Sequence, residues 1–293
     1  MIAMRQPLFE HRLTLAGYET RALELEGDGP PLLMLHGYMD SADTWRFVLD
    51  RLARHNRAAL AVDLPGFGTA DLLHDGPVLP QLDAFTAAAV DHWAGERGED
   101  VVVVGNSLGG VCSLRAAERE GAPIASVVPI APAGLQMPSW FNVIEGDPVV
   151  RSLLRLPLPP AVMQRMVGEA YRRLAFSRGD GIPPNAVAAF SGHHRDRETV
   201  ARGLTTGRRM LPELRYPFHF GKVRVPVLLV WGDRDRMVAH TGSERLLDAL
   251  PGTRFELLEE IGHCPQVEAP DAVTELLLDF TGAPEPGRAS GVA

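Results

Sequence analysis

The chain has 293 residues, of which 45% are hydrophobic and 23% are charged, and its formal net charge is -8. This composition is typical of a globular protein with a large core, and the acidic balance argues against a nucleic-acid partner. No apolar run reaches the roughly 20 residues of a membrane span, and residues 1–11 lack the pattern of a secretory signal. We therefore expect no integral membrane span and a cytoplasmic location, and the sequence leaves the oligomeric state open.

Apolar runs and amphipathic stretches alternate through the first 130 residues. Strands with alternating polarity at Leu13–Leu15 and Thr20–Leu25 predict an antiparallel start. Further on, buried strands are predicted at Leu32–Leu35, Ala58–Val62, Val101–Val104 and Ile124–Ile130, and helices at Trp45–Arg54, Leu82–Trp93 and Val111–Glu120. This alternation favours a mostly parallel sheet with right-handed crossovers.

The alternation stops after Ile130 and resumes near Val225. Helical patterns fill the interval, at Ala161–Leu174, Asn185–Gly192 and Arg197–Met210. After it, strands are predicted at Val225–Trp231 and Arg254–Leu258, and helices at Gly242–Leu250 and Pro270–Phe280. A helical insertion of this kind is expected to lie as a lid over the strand ends. We therefore divide the chain into a core at 1–132 and 223–282, an inserted helical cap at 133–222 and a disordered tail at 283–293.

A Gly-x-Ser-x-Gly motif at Gly105, Ser107 and Gly109 follows the β-branched run Val101–Val104 directly. Between a strand and a helix, such a motif forms a sharp turn that exposes the serine hydroxyl above the sheet. The first N–H groups of the helix then face any negative charge that develops there. The alternative is that the glycines only shape the turn and the serine caps the helix. We interpret Ser107 as a nucleophile, and the N–H of Leu108 as one donor of an oxyanion hole.

A serine nucleophile needs a base and an acid that orients it, and both have candidates late in the chain. Asp233 and Asp235 follow the strand at Val225–Trp231, and His263 follows the next strand. The order serine, acid, histidine is the one expected for a nucleophile on this kind of turn. The residues alone leave the choice between the two aspartates open.

These motifs together resemble those of the α/β-hydrolase family, in its serine esterase and lipase branch with a helical cap. The resemblance covers nearly the whole chain, through His36-Gly37, Asp63-Leu-Pro-Gly-Phe-Gly68, Gly105-Asn-Ser-Leu-Gly-Gly110, Trp231-Gly-Asp-Arg-Asp235 and Gly262-His263-Cys-Pro-Gln-Val-Glu-Ala-Pro270. It implies a mostly parallel eight-stranded sheet flanked by helices. It also implies that Asp235 is the triad acid and that the N–H of Tyr38 is the second oxyanion donor. His36 then has a structural role under the oxyanion loop, and Asp63 accepts backbone amides.

Several other residues are assigned less direct roles. Met137, Trp140 and Phe141 either line an apolar substrate pocket or pack within the cap. Cys112 and Cys264 are interpreted as packing residues, because two cysteines form neither a disulfide framework nor a four-ligand zinc site. His193-His194 are expected at the surface and Arg208-Arg209 on a solvated helix face. We expect neither a metal ion nor a cofactor.

The predicted reaction is hydrolysis of carboxylic esters of small to medium apolar substrates through an acyl-enzyme. Within the same family, the alternatives are a C–C bond hydrolase of the meta-cleavage type, a thioesterase, an acyltransferase or a cofactor-free haloperoxidase. The non-enzymatic alternative is a ligand sensor with a hydrolase fold, since a fold does not fix a function. The expected partner is a small-molecule ester.

Overall fold

A computed structural model of the chain describes residues 7–136, 159–177, 182–194 and 196–282. Eight strands form one sheet. They are β1 (Leu8–Leu15), β2 (Tyr18–Leu25), β3 (Asp28–Leu35), β4 (Arg57–Val62), β5 (Val101–Asn106), β6 (Ile124–Ile130), β7 (Leu228–Gly232) and β8 (Arg254–Leu258). The order across the sheet is β1-β2-β4-β3-β5-β6-β7-β8. The pairs β1–β2 and β2–β4 are antiparallel, and the remaining pairs are parallel, as the sequence predicted.

Helices flank the sheet on both faces. In the described part of the chain they are α1 (Arg46–Arg54), α2 (Leu79–Arg97), α3 (Leu108–Ala116), α4 (Pro160–Ala175), α5 (Pro184–Gly192), α6 (Arg197–Met210), α7 (Ser243–Ala249), α8 (Pro265–Glu268) and α9 (Pro270–Phe280). Short 3-10 helices lie at Ala42–Trp45, Glu213–Arg215, Phe220–Lys222 and His240–Gly242.

Successive residues of the central strands divide the core into two layers, because side chains alternate across a sheet. Leu33 and Leu35 of β3 pack on one face with α2 and α3. Leu32 and Met34 of the same strand pack on the other face with α1 and α9. The central strands are thus buried on both sides, which explains why β4 and β5 read as continuous apolar runs rather than alternating ones.

In the described part of the insertion, three helices, α4 to α6, come between β6 and β7, as the sequence predicted. Their residues line a cavity together with Ser107 and His263, so they lie over the edge of the sheet where the parallel strands end. The segments 137–158 and 178–181 of the same insertion lie outside the described residues, as does the tail at 283–293. Throughout the described ranges, every helix is too short or too polar to cross a membrane.

Candidate active site

Ser107 stands on a sharp turn between β5 and α3, with a φ of 54° and a ψ of -109°. A positive φ is strained for any residue with a side chain, and here it turns the serine into the cavity. The two motif glycines allow the backbone to pass. A Cβ on Gly105 would lie 2.0 Å from the carbonyl oxygen of Gly109, and a Cβ on Gly109 would lie 2.2 Å from that of Leu35. Glycine is therefore required at both positions, which agrees with the predicted nucleophile turn.

The side chain of Asp235 is fully buried, and its carboxylate accepts four hydrogen bonds. Oδ1 accepts the N–H groups of Met237 and Val238 at 2.7 and 2.9 Å. Oδ2 lies 3.0 Å from the indole nitrogen of Trp231 and 2.7 Å from Nδ1 of His263. Because a carboxylate only accepts, Nδ1 must carry the proton, which leaves Nε2 of the neutral ring free to act as a base.

The backbone of His263 is tied to both sides of the site. Its N–H donates to the carbonyl of Ala175, the last residue of α4, at 2.7 Å. Its carbonyl accepts from Nδ2 of Asn106 at 3.0 Å. Asn106 directly precedes Ser107, so the two predicted catalytic residues are positioned through a single side chain. The sequence analysis assigned no role to Asn106.

The two predicted oxyanion donors belong to two different parts of the chain next to Ser107. Leu108 is the first residue of α3, so its N–H has no partner within the helix. The loop with Tyr38 approaches closely, because a Cβ on Gly37 would lie 3.4 Å from Cβ of Ser107. Within the four described ranges, neither the N–H of Tyr38 nor that of Leu108 has an acceptor in the protein. Both are therefore available to a developing oxyanion.

His36 supports the proposed oxyanion loop through hydrogen bonds of both its ring nitrogens. The Nε2 atom of His36 accepts the N–H of Leu64 at 2.8 Å, so Nδ1 carries the proton and donates to the carbonyl of Gly37 at 2.7 Å. Burial lowers the pKa of His36 to about 4 and keeps the ring neutral. Both ring nitrogens are thus engaged away from the cavity, in line with the structural role that was predicted.

The carboxylate of Asp63 accepts the N–H groups of Ala42 and Thr69 at 2.7 and 2.8 Å, as expected from its turn. It also accepts a bond of 3.1 Å from Nε of Arg21, whose NH2 reaches Asp43 at 2.9 Å. Burial alone would raise the pKa of Asp63, but the neighbouring His36, the guanidinium of Arg21 and the N–H of Ala42 together hold it below its ordinary value. The sequence analysis missed the roles of Arg21 and Asp43.

Hydrogen bonds join the inserted segment to the proposed oxyanion loop. The hydroxyl of Tyr38 donates to the carbonyl of Gly203 at 2.6 Å, and Nε2 of His194 lies 2.7 Å from the carbonyl oxygen of Met39. His194 is only 5% exposed, and the side chain of His193 lies 3.6 Å from Asp43. The prediction that the two histidines are surface residues was therefore wrong for His194, which the contact with this distant loop buries, while His193 is half-buried.

A cavity of about 240 Å³ opens beside Ser107 and His263. Most of its wall is apolar, with Val167, Leu174, Phe190, Leu204, Leu211 and Met237 among the lining residues. Polar lining comes from Asp40, Tyr171, Cys264 and Arg208. The prediction that Arg208 and Arg209 lie on a solvated helix face was therefore wrong for Arg208. The guanidinium of Arg209 donates to the carbonyl of Gly76 at 3.2 Å.

Both cysteines are buried, in agreement with the packing role that was predicted. Burial raises the pKa of the Cys112 thiol to about 12 and that of the Cys264 thiol well above its ordinary value. Neither is a thiolate near neutral pH, although Cys264 also lines the cavity. The proposed pocket residues Met137, Trp140 and Phe141 lie outside the described residues. In the described ranges, no three His, Cys, Asp or Glu side chains are grouped so as to hold a metal ion.

Comparisons with known proteins agree with this architecture. A family model described as "Alpha/beta hydrolase family" matches residues 32–276, so the chain belongs to that family. Human monoacylglycerol lipase ABHD6 is 25% identical over 268 residues, which cover 87% of this chain and 76% of the relative. The pimeloyl-acyl-carrier-protein methyl ester esterase of Vibrio vulnificus (strain YJ016) is 25% identical over 264 residues, covering 88% and 97%.

Among solved structures, the 2-hydroxy-6-oxo-6-phenylhexa-2,4-dienoate hydrolase of Rhodococcus sp. strain RHA1 superposes with a TM-score of 0.77. It is 20% identical and covers 95% of this chain and 100% of that structure. This likeness supports the fold alone. The chain is thus an alpha/beta hydrolase whose relatives include lipases and esterases.

Proposed function

We propose that the protein is a serine hydrolase that cleaves carboxylic esters of small to medium apolar substrates. The observation that carries the proposal is the four-bonded carboxylate of Asp235, which fixes the proton of His263 on Nδ1 beside a strained serine. A buried carboxylate, a histidine with a defined tautomer and a hydroxyl that borders the cavity are the parts that acyl transfer needs. The names of the lipase and esterase relatives support the ester class.

In the first half of the reaction, Oγ of Ser107 attacks the ester carbonyl carbon while Nε2 of His263 takes the hydroxyl proton. The carbonyl electron pair moves to oxygen, where the N–H groups of Tyr38 and Leu108 stabilise the negative charge. The intermediate then collapses, the bond to the alcohol oxygen breaks, and His263 returns its proton to that oxygen. The alcohol leaves and the acyl group stays on Ser107.

In the second half, water attacks the acyl carbon and His263 takes a proton from the water. Collapse of this intermediate releases the carboxylic acid and restores the Ser107 hydroxyl.

The apolar cavity of about 240 Å³ would hold a short to medium acyl or alcohol chain. We further propose that residues 133–222 form a cap, separate from a core at 1–132 and 223–282, which limits the size of the substrate.

The test is a series of nitrophenyl esters with acyl chains of increasing length, measured with the wild type and Ser107→Ala. We expect turnover to vanish in this variant, with the preferred length reporting the size of the cavity. Ser113→Ala is the matched control, because that serine lies in the same helix and donates to the carbonyl of Gly110. Turnover that survives in Ser107→Ala would contradict the proposal. Ligand binding without any turnover in the wild type would favour a sensor.

A second candidate reaction, hydrolysis of a C–C bond, is favoured by one observation. Arg208 lines the cavity and has no ion pair among the described residues, so its guanidinium is available to the carboxylate of an acidic substrate. The named substrate of the Rhodococcus hydrolase is such an acid. Turnover of that dienoate by the wild type, lost in Arg208→Gln while ester turnover persists, would support this second reaction. Inert dienoate would rule it out.

A further inference from the structure

One wall of the cavity contains a buried carboxyl group that the proposed mechanism does not use. Asp40 is 5% exposed and lines the cavity beside Tyr38 and Met39. Its Oδ1 accepts the N–H of Ser41 at 2.8 Å. Within the described ranges it forms no ion pair with an arginine or a lysine, and His193 and Asp43 are the charged groups that act on it. Burial of a carboxyl without a cation is costly unless another group satisfies it.

Two hydroxyl groups adjoin this carboxyl. The hydroxyl of Thr44 is within hydrogen-bonding reach of both Asp40 and Tyr171. Thr44 also accepts from Nε2 of Gln266 at 3.1 Å, so its single proton remains for one of these two neighbours. A carboxylate has about four acceptor sites, and the N–H of Ser41 and the hydroxyl of Thr44 fill at most two of those on Asp40, so acceptors are left for a donor from the cavity. We name Asp40, Thr44 and Tyr171 the Asp40 group.

The Asp40 group lies on the side of the cavity where His263 enters. The hydroxyl of Tyr171 is 3.6 Å from the sulfur of Cys264, the residue after His263. Asp40, Tyr171 and Cys264 all line the same cavity. In ester cleavage, His263 returns its proton to the leaving oxygen, so the alcohol part of the substrate must lie on this side.

We propose that the Asp40 group binds a second hydroxyl on the alcohol part of the ester, so that the preferred substrates are monoesters of diols or polyols. This inference rests on the proposed ester hydrolysis and specifies its substrate class. A hydroxyl both donates and accepts, and can therefore bond to the carboxyl in either protonation state and to the hydroxyls of Thr44 and Tyr171. In an otherwise apolar cavity, a few placed polar groups of this kind set specificity.

A cationic alcohol fits this wall less well. Binding of a quaternary ammonium uses open aromatic faces, whereas the ring of Tyr171 is stacked on Phe190 with centroids 3.6 Å apart and planes 4° apart. The ring of Tyr171 also makes a T-shaped contact with that of Phe176, with the ring centroids 5.2 Å apart. Arg208 adds a positive charge to the same cavity. An anionic alcohol is disfavoured because it would face the carboxyl of Asp40.

The test compares two butanoate esters that differ only in one terminal group, 2-hydroxyethyl butanoate and propyl butanoate. The ratio of their kcat/KM values is measured for the wild type, Asp40→Leu, Asp40→Asn and Tyr171→Phe. We expect the wild-type ratio to exceed that of Asp40→Leu by about tenfold, and that of Tyr171→Phe by about threefold, as for loss of one hydrogen bond. Asp40→Asn keeps the shape and should retain part of the preference, so it serves if the leucine variant does not fold. Asp75→Leu, at an exposed position, is the control with an unchanged ratio.

Equal ratios in the wild type and all three variants would overturn the inference, while Ser107-dependent turnover of propyl butanoate would still support ester hydrolysis. Failure of both esters in the wild type would instead contradict the proposed function. Two further pairs define the ligand. A preference for choline butanoate over 2-hydroxyethyl butanoate would show that the Asp40 group binds a cation instead of a hydroxyl. An Asp40-dependent preference for nitrophenyl 3-hydroxybutanoate over nitrophenyl 3-methylbutanoate would show that the Asp40 group binds a hydroxyl on the acyl part of the substrate, and would contradict the inference.

Discussion

The hydroxyl of Tyr38 donates a hydrogen bond of 2.6 Å to the carbonyl of Gly203, which lies 165 residues later in the chain. Tyr38 belongs to the proposed oxyanion loop, and Gly203 belongs to α6 of the insertion. The contact is close enough to restrict α6, because a Cβ on Gly207, one turn further on, would lie 2.6 Å from the same hydroxyl. The inserted helices therefore help to set the position of a backbone N–H group beside Ser107.

Tyr38→Phe removes this hydrogen bond and keeps the ring. We expect kcat to fall by about 3- to 10-fold with little change in KM, because an oxyanion donor contributes mainly in the transition state. The measurement is steady-state kinetics on the preferred nitrophenyl ester. Tyr216→Phe is the matched control, since that tyrosine is 82% exposed. A raised KM with unchanged kcat would indicate that Tyr38 is only part of the pocket wall.

Asp235→Asn, compared with Asp233→Asn, tests which of the two aspartates in the motif orients His263. An amide in place of the Oδ2 oxygen cannot accept from both Trp231 and His263, so the histidine loses the partner that fixes its tautomer. We expect kcat to fall by about 10³- to 10⁴-fold, as for the corresponding acid of serine proteases. Asp233→Asn should change kcat less than about threefold, because no part of Asp233 lines the cavity or contacts His263. Similar losses in the two variants would contradict the assignment of Asp235.

Local patterns in the sequence predicted most of the fold. The run Val101–Val104 predicted a strand buried on both faces, and β5 is that strand, at the centre of the sheet. The helical pattern was assigned to Val111–Glu120, although the motif itself indicated a helix that starts at the serine, and α3 spans Leu108–Ala116. The glycines after Ser107 have low helix propensity, and the close approach to Leu35 that requires glycine cannot be read from the sequence.

The errors in the site share a different physical cause, since they involve side chains buried by distant parts of the chain. His194 occupies a polar stretch and is buried by Met39, which lies 155 residues earlier. Arg21 belongs to a strand whose alternation indicated an exposed face, yet Asp43 and Asp63 surround its guanidinium. Asp40 lies in a loop next to the predicted oxyanion donor, where a carboxylate is ordinarily solvated. No local periodicity distinguishes such residues from surface residues.

Gly105→Ala tests the packing of the nucleophile turn. The added Cβ would lie 2.0 Å from the carbonyl oxygen of Gly109, which is backbone and cannot move aside cheaply. We expect a loss of about 2–3 kcal/mol in the free energy of unfolding and a Tm lower by about 5 °C or more. Gly95→Ala in α2 is the opposite control, since that glycine is exposed with nothing within 4 Å of a Cβ. It should raise Tm by about 1–3 °C. Equal Tm values in the two variants would contradict the close approach.

The buried carboxyl of Asp40 predicts a pH dependence of stability. Burial raises the pKa of Asp40 to about 7, whereas in the unfolded chain it is about 3.9. Between these values the folded protein keeps a proton that the unfolded chain has lost, so this group lowers the free energy of unfolding as pH rises. Above pH 7 this decrease in the free energy of unfolding is complete, and it amounts to at most about 4 kcal/mol. His36 acts in the opposite direction, because its pKa of about 4 makes stability fall as pH drops below the ordinary histidine value.

Asp40→Asn isolates the contribution of the carboxyl, since the amide oxygen still accepts the N–H of Ser41 and the side chain no longer titrates. The measurement is urea unfolding of the wild type and Asp40→Asn from pH 4 to pH 8.5. The contribution of His36 is present in both proteins and cancels in the difference between their free energies of unfolding. We expect this difference to shift in favour of the variant as pH rises from about 4 to 7 and then to stay constant. A difference that is independent of pH would mean that the Asp40 carboxyl titrates alike in the folded and unfolded protein.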